Sequence, residues 1–201
     1  MEMYVEPNIK SSYFINNKGA EHGELYFKPN IGRTIYDYVI KTKPKIIVEF
    51  GVLFGFSTVC MAQALRDLNN NGKIYAFDLW EQSDYNHGQT IQIVQDNLDK
   101  FNLQQFVNLK QGGDISYISD IEDIDLIHID INNDGDKLKK LITDIKSIED
   151  NKSDILFEGG IDDRDACWWM KKFDKTPISD IKNQFDYVIL NKRYPGISKC
   201  I

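Results

Sequence analysis

In Lys45-Ile46-Ile47-Val48-Glu49-Phe50-Gly51-Val52-Leu53-Phe54-Gly55-Phe56-Ser57-Thr58 an apolar run meets two glycines and then a helical pattern. The first six residues form a short, strongly apolar run, as expected of a parallel strand buried on both faces. Glycines at 51 and 55 interrupt the run. Val59, Ala62, Leu65 and Leu68 then recur at helical spacing until Asn69-Asn70-Asn71-Gly72 breaks the chain. A strand that passes through a glycine turn into a helix is the opening unit of an α/β domain.

The alternation continues on both sides. Ile31–Ile40 reads as a helix that stops before Pro44. Lys73–Asp78, Phe106–Lys110, Ile124–Asp130 and Asp154–Glu158 read as further strands. Helices are expected through Ile91, Val94, Leu98 and Phe101, through Leu138, Leu141, Ile142, Ile145 and Ile148, and through Trp168, Trp169 and Phe173. Tyr187–Leu190 and Ile197–Ile201 are late strands separated by the turn Tyr194-Pro195-Gly196. Right-handed crossovers then give a doubly wound, mostly parallel seven-stranded sheet with one antiparallel strand near the C-terminus. Its ligand crevice belongs at the carboxyl ends of the strands. Residues 31–201 are expected to form this domain. Residues 1–30, irregular and dotted with Tyr4, Tyr13, Phe14, Tyr26 and Phe27, read as an N-terminal arm or lid.

Composition narrows the function classes. A net charge of −7 with only short basic clusters, such as Lys137-Leu138-Lys139-Lys140, argues against a nucleic-acid partner. No apolar run is long enough for a membrane span, and Met1–Pro7 lacks the features of a secretory signal. A cytoplasmic location is therefore expected. Cys60, Cys167 and Cys200 fit no CxxC pattern and read as reduced thiols. A small molecule is the expected partner, and self-association into a homo-oligomer is compatible with the sequence.

Two cofactor classes use a glycine turn at the start of a helix, where backbone N–H groups can face a ligand. A dinucleotide calls for G-x-G-x-x-G. Here the spacing is G-x-x-x-G, with Glu49 at the place an anionic pyrophosphate would approach. An acidic strand end suits a cationic amino-acid ligand instead, and Ser57 is placed to hydrogen-bond a carboxylate. The order E-x-G-x-x-x-G-x-S resembles the first motif of class I S-adenosylmethionine-dependent methyltransferases, above all the catechol, caffeoyl-CoA and macrocin O-methyltransferase branches. That resemblance implies that Glu49, Gly51, Gly55 and Ser57 border the cofactor.

Asp78 ends the second strand, where a carboxylate can accept both ribose hydroxyls; a helix cap is the alternative. The resemblance extends the cofactor contacts to Leu79, Gly113, Asp114 and Ile115. It also equates Asp125–Asp130 with the family's fourth motif, which puts Asp130 beside the methyl donor as a catalytic residue. His128, on the alternate side of that strand, reads as a partly buried histidine. Asp130–Asp136 also fits the first half of a calcium loop, but Leu141 stands where a bidentate glutamate is required.

In metal-dependent relatives hard oxygen ligands hold the acceptor hydroxyl. The resemblance implies a Mg2+ set of Asp130, Glu158 and Asp162. Gly159 stands where relatives carry a third ligand, and Asn133 where macrocin-type enzymes carry a histidine. His22 in the arm and His87 are the substitute bases, with His22 preferred. The expected activity is methylation of an oxygen on a small polar acceptor, such as a sugar or sugar-containing metabolite. An NAD(P)-dependent oxidoreductase and a non-catalytic nucleotide-binding module are the alternatives on the same fold.

Overall fold

The computed structural model describes residues 4–9, 30–83, 88–113, 115–131, 133–149 and 152–201. Helix α1 (Ile31–Thr42) leads into β1 (Ile46–Phe50), α2 (Phe56–Leu68), β2 (Lys73–Asp78), α3 (Ile91–Lys100) and β3 (Val107–Gln111). Strand β4 (Leu126–Ile129), α4 (Gly135–Glu149) and β5 (Asp154–Glu158) follow. Two short helices, α5 (Asp162–Asp165) and α6 (Trp168–Lys172), precede β6 (Tyr187–Asn191) and β7 (Ile197–Cys200).

The strands form a seven-stranded sheet in the order β3-β2-β1-β4-β5-β7-β6. Strands β1 to β5 are parallel, and β7 runs antiparallel to both its neighbours. Side chains alternate between faces, as strand geometry requires. Ile47, Ile74, Leu126 and Leu156 face one apolar layer with α1, α2 and α3. Val48, Phe50, Phe77, Ile127 and Phe157 face the other with α4. Because β1 is enclosed on both sides, its apolar run is continuous in the sequence.

Local chemistry sets the element ends. Lys43 adopts a left-handed conformation and closes α1 by donating its N–H to the Val39 carbonyl, before Pro44 forbids continuation. Strand β4 is shorter than the expected Ile124–Asp130. Asp125 is used as a clasp, its carboxylate accepting the Lys45 and Ile46 amides at 2.7 and 3.0 Å. The helix expected through Trp168, Trp169 and Phe173 is α6, with Phe173 as its C-cap, and Cys167 separates it from α5. None of the described helices is long and apolar enough to cross a membrane.

Residues 4–9 lie on the outer side of α1 and α2. Val5 exchanges two hydrogen bonds of 2.9 Å with the buried Gln63 side chain, and the Tyr4 and Tyr36 rings meet at 4.9 Å. Gly32 opens the way, because a methyl group there would come within 2.7 Å of the Cys60 Sγ.

Candidate active site

The strand order brings the carboxyl ends of β3, β2, β1, β4 and β5 side by side. The glycine turn leaves β1 at Gly51, whose φ of +87° favours glycine. A methyl group at Gly51 would lie 2.5 Å from the Asp130 carbonyl carbon and 2.9 Å from the Ile131 nitrogen. Close packing against the end of β4 therefore demands this glycine, whatever a ligand requires. Gly55 serves similarly, its missing Cβ leaving room for Val94.

The turn is held from all sides. Gly51 donates to the Phe77 carbonyl at 2.9 Å, and Gly55 to the Val52 carbonyl at 2.8 Å. The Val52 and Leu53 amides both donate to Asp78 Oδ2, at 2.7 and 2.8 Å. The expectation of free amides is corrected here, because these four are bonded within the protein. Asp78 Oδ1 also accepts the Trp80 amide at 2.8 Å. A carboxylate has roughly four lone-pair sites. With three backbone donors in place, Asp78 keeps room for about one ribose hydroxyl rather than two.

Glu49 requires a second correction. It is fully buried and cannot touch a ligand in the crevice. The Ser57 hydroxyl donates to its Oε1 at 2.5 Å, the Thr58 hydroxyl donates to its Oε2, and His128 Nδ1 lies 3.1 Å from Oε1. Ser57 is thereby committed to Glu49 rather than offered to a ligand carboxylate. This cluster ties the first turn of α2 to β1 and β4 behind the glycine turn. His128 is buried as expected but only half satisfied, its Nε2 having no partner among the described residues.

What faces the crevice is a ridge of strand ends. Asp78 and Asp130 are partly exposed, Leu79 and Gly113 exposed, and Ile115 partly buried. Leu79 and Gly113 adjoin, a Gly113 methyl falling 3.7 Å from Leu79 Cγ. Asp114, His22 and His87 lie outside the described residues.

Across β4 and β5 sits the other half. The Asp130 and Glu158 carboxyls are close enough for each charge to act on the other. Burial, with the neighbouring Glu158 charge, pushes the Asp130 pKa well above the usual carboxylate range. Arg164 Nη2 donates to Glu158 Oε1 and Nη1 donates to the Tyr194 hydroxyl, each at 2.5 Å. Its guanidinium lies 4.9 Å from the Trp169 ring centre and 5.2 Å from that of Tyr194. Burial opposes the Arg164 charge, but Glu158, Tyr194 and Asp130 outweigh it and raise its pKa.

The expected magnesium set is not assembled. Asp162 is exposed on α5, Glu158 is engaged by Arg164, and no acidic, histidine and cysteine cluster suited to a metal occurs among the described residues. Asn133 does not replace a base either. Its amide nitrogen points to Asp165 and to Met170 Sδ, both at 3.4 Å, while its side chain fills the space left by Gly159. Gly135 begins α4, so the calcium-like sequence runs into a helix. Of the paired tryptophans Trp169 stacks on Arg164 and Trp168 is exposed, as adjacent helical positions dictate.

Sequence reasoning missed Arg164, Tyr194 and Trp80. Arg164 had one signal, a lone basic residue inside Asp162-Asp163-Arg164-Asp165. Trp80, fully buried, donates its indole N–H to the Leu53 carbonyl at 3.2 Å and props the glycine turn.

Solved methyltransferases share this fold. An adenosylhomocysteine-bound methyltransferase, PaMTH1 of Podospora anserina, superimposes with a TM-score of 0.62 at 16% identity, covering 94% of this chain and 84% of that one. A putative caffeoyl-CoA O-methyltransferase of Staphylococcus aureus gives 0.57 at 16% identity, with 96% and 92% covered. TomG, an O-methyltransferase of Streptomyces achromogenes solved with S-adenosylmethionine, gives 0.57 at 12% identity, with 85% and 78% covered. No curated protein sequence matches. These likenesses show a shared fold. The chain belongs to the methyltransferase-domain family, whose pattern matches residues 48–158, more than half of its length.

Proposed function

We propose that this methyltransferase moves the methyl group of S-adenosylmethionine to an oxygen of a small polar acceptor, with sugars and sugar-containing metabolites as the class in view. The observation that carries this reading is the ridge of Asp78, Leu79, Gly113, Ile115 and Asp130 beside a glycine turn already braced by the protein. Asp78 has capacity for a ribose hydroxyl, Leu79, Gly113 and Ile115 offer an apolar shelf for adenine, and Asp130 faces the sulfonium end. Gly51 and Gly55 bound this pocket through their backbone. Glu49 and Ser57 support it from behind. Oxygen as the acceptor atom is supported by the O-methyltransferases that share the fold.

In the reaction an acceptor oxygen lone pair attacks the methyl carbon in line as the carbon–sulfur bond breaks. Adenosylhomocysteine leaves as a neutral thioether, and the hydroxyl proton passes to a base. Alignment of the two reactants supplies much of the acceleration. His22, in the N-terminal arm, is the candidate base. Magnesium assistance finds no support in the carboxyl pair, because Arg164 already engages Glu158. Work in the cytoplasm is supported by Cys60, Cys167 and Cys200 all being free thiols.

The test incubates the protein with methyl-labelled S-adenosylmethionine and matched panels of sugar hydroxyls, phenols and amines. Label on a hydroxyl oxygen is expected, and transfer confined to amines refutes the proposal. Asp78→Asn is expected to weaken adenosylhomocysteine binding by about tenfold in calorimetry, since one hydrogen bond to a charged group is worth about 1.5 kcal/mol.

A further inference from the structure

We propose that Arg164 is the resident cation of the acceptor half of this site, so that methyl transfer by this chain proceeds without a divalent metal. Two neighbouring carboxyls at the ends of adjacent strands, Asp130 and Glu158, are what a hard cation would bridge. Here a guanidinium already holds one of the two. Arg164 Nη2 takes Glu158 Oε1 at 2.5 Å, an oxygen that a magnesium ion would need. The arginine is not placed to swing aside. Its Nη1 is bonded to Tyr194 at 2.5 Å, and aromatic rings of Trp169 and Tyr194 face its guanidinium. Tyr194 is fixed in turn by Cys167, 3.2 Å from its hydroxyl.

The third position differs as well. Gly159 contributes no side chain, and the space beside it holds the neutral Asn133 Oδ1, which has no partner among the described residues, while the Asn133 amide nitrogen is directed to Asp165 and Met170. A divalent ion would have to enter next to a buried positive charge, with Glu158 Oε1 already engaged. Arg164 acts as a positioning residue. By neutralising Glu158 it lets a second carboxyl, Asp130, lie against the first and keeps Asp130 aimed at the crevice. The inference rests on assigning Asp130 and Glu158 to the methyl-acceptor side, and adenosylhomocysteine calorimetry reports on cofactor binding separately.

Manganese is the probe, followed by electron paramagnetic resonance on the full chain with and without adenosylhomocysteine. Wild-type protein is expected to leave manganese free and to keep its methyl transfer after EDTA treatment. Arg164→Gln, which opens the carboxyl pair, is expected to bind manganese at least about tenfold more tightly than wild type, since affinity follows ligand charge. That gain should vanish in Arg164→Gln/Glu158→Gln and be absent in Arg164→Lys, which restores the cation. Should Arg164→Gln fail to fold by circular dichroism, the wild-type measurements decide alone. One manganese per wild-type chain, abolished by Glu158→Gln, overturns the proposal. So does a folded Arg164→Gln protein that gains no manganese.

Discussion

Replacing Gly51 by alanine separates two reasons for a glycine that sequence alone conflates. Gly51 and Gly88 both have left-handed backbones, with φ of +87° and +74°. An L-residue pays roughly 1–2 kcal/mol for such a conformation. At Gly88 nothing lies within 4 Å of the added methyl, so this is the whole expected cost. At Gly51 the methyl meets the Asp130 carbonyl carbon at 2.5 Å and the Ile131 nitrogen at 2.9 Å, backbone atoms that cannot rotate away. Strands β1 and β4 must part at their carboxyl ends, and overpacking of that kind adds about 1–3 kcal/mol. The sum for Gly51→Ala is about 2–5 kcal/mol. At about 2–4 °C per kcal/mol for a chain of this size, thermal unfolding should fall by roughly 10 °C, against about 4 °C for Gly88→Ala. Circular dichroism melting reads both. Adenosylhomocysteine calorimetry below the melt should show weaker binding only for Gly51→Ala, because Asp130 moves with the strand end. Equal melting temperatures for the two variants would refute the packing argument.

Thr58→Val tests the buried cluster behind the turn. Losing one donor to the Glu49 carboxylate should cost about 1.5–3 kcal/mol in urea unfolding, with adenosylhomocysteine affinity unchanged; a loss of affinity at full stability would contradict the placement. The raised Asp130 pKa predicts a pH dependence with a definite sign. Its folded state favours the protonated acid, so that contribution is complete below the ordinary carboxylate pKa of about 4 and is lost as pH rises through the higher folded value. Asp130→Asn cannot titrate, so its urea midpoint relative to wild type should climb as pH increases from about 4; a constant difference would sink the idea.

Much of the fold was legible because its strands are short apolar runs buried on both faces and bounded by polar turns. Lys73–Asp78 and Asp154–Glu158 have the expected limits, and β7 is reversed as the Tyr194-Pro195-Gly196 turn implied. The last helix was legible too, since Trp168–Lys172 is helical and Phe173 caps it, but the short α5 before it had no apolar pattern to reveal it. In the site, spacing located the strand ends but not the direction of each side chain. Glu49 shares the face of Ile47, and period two could have assigned it inward. Its carboxylate suggested a ligand instead. Arg164 was invisible for another reason, since its partners Glu158, Trp169 and Tyr194 meet only through the tertiary fold.

The hold of Val5 on Gln63 bears on where this domain can be trimmed. A version beginning at Ile31, the natural cut if the arm were a separate piece, would strip Tyr4 from the Cys60 side of α2 and leave Gln63 without its two backbone partners. Burial now holds the Cys60 thiol well above its usual pKa and out of reach of oxidants. Shortened protein should therefore form disulfide-linked dimers on standing in air, which non-reducing electrophoresis would reveal and Cys60→Ser would prevent. Residues 4–9 close over α1 and α2, and a usable fragment has to carry them.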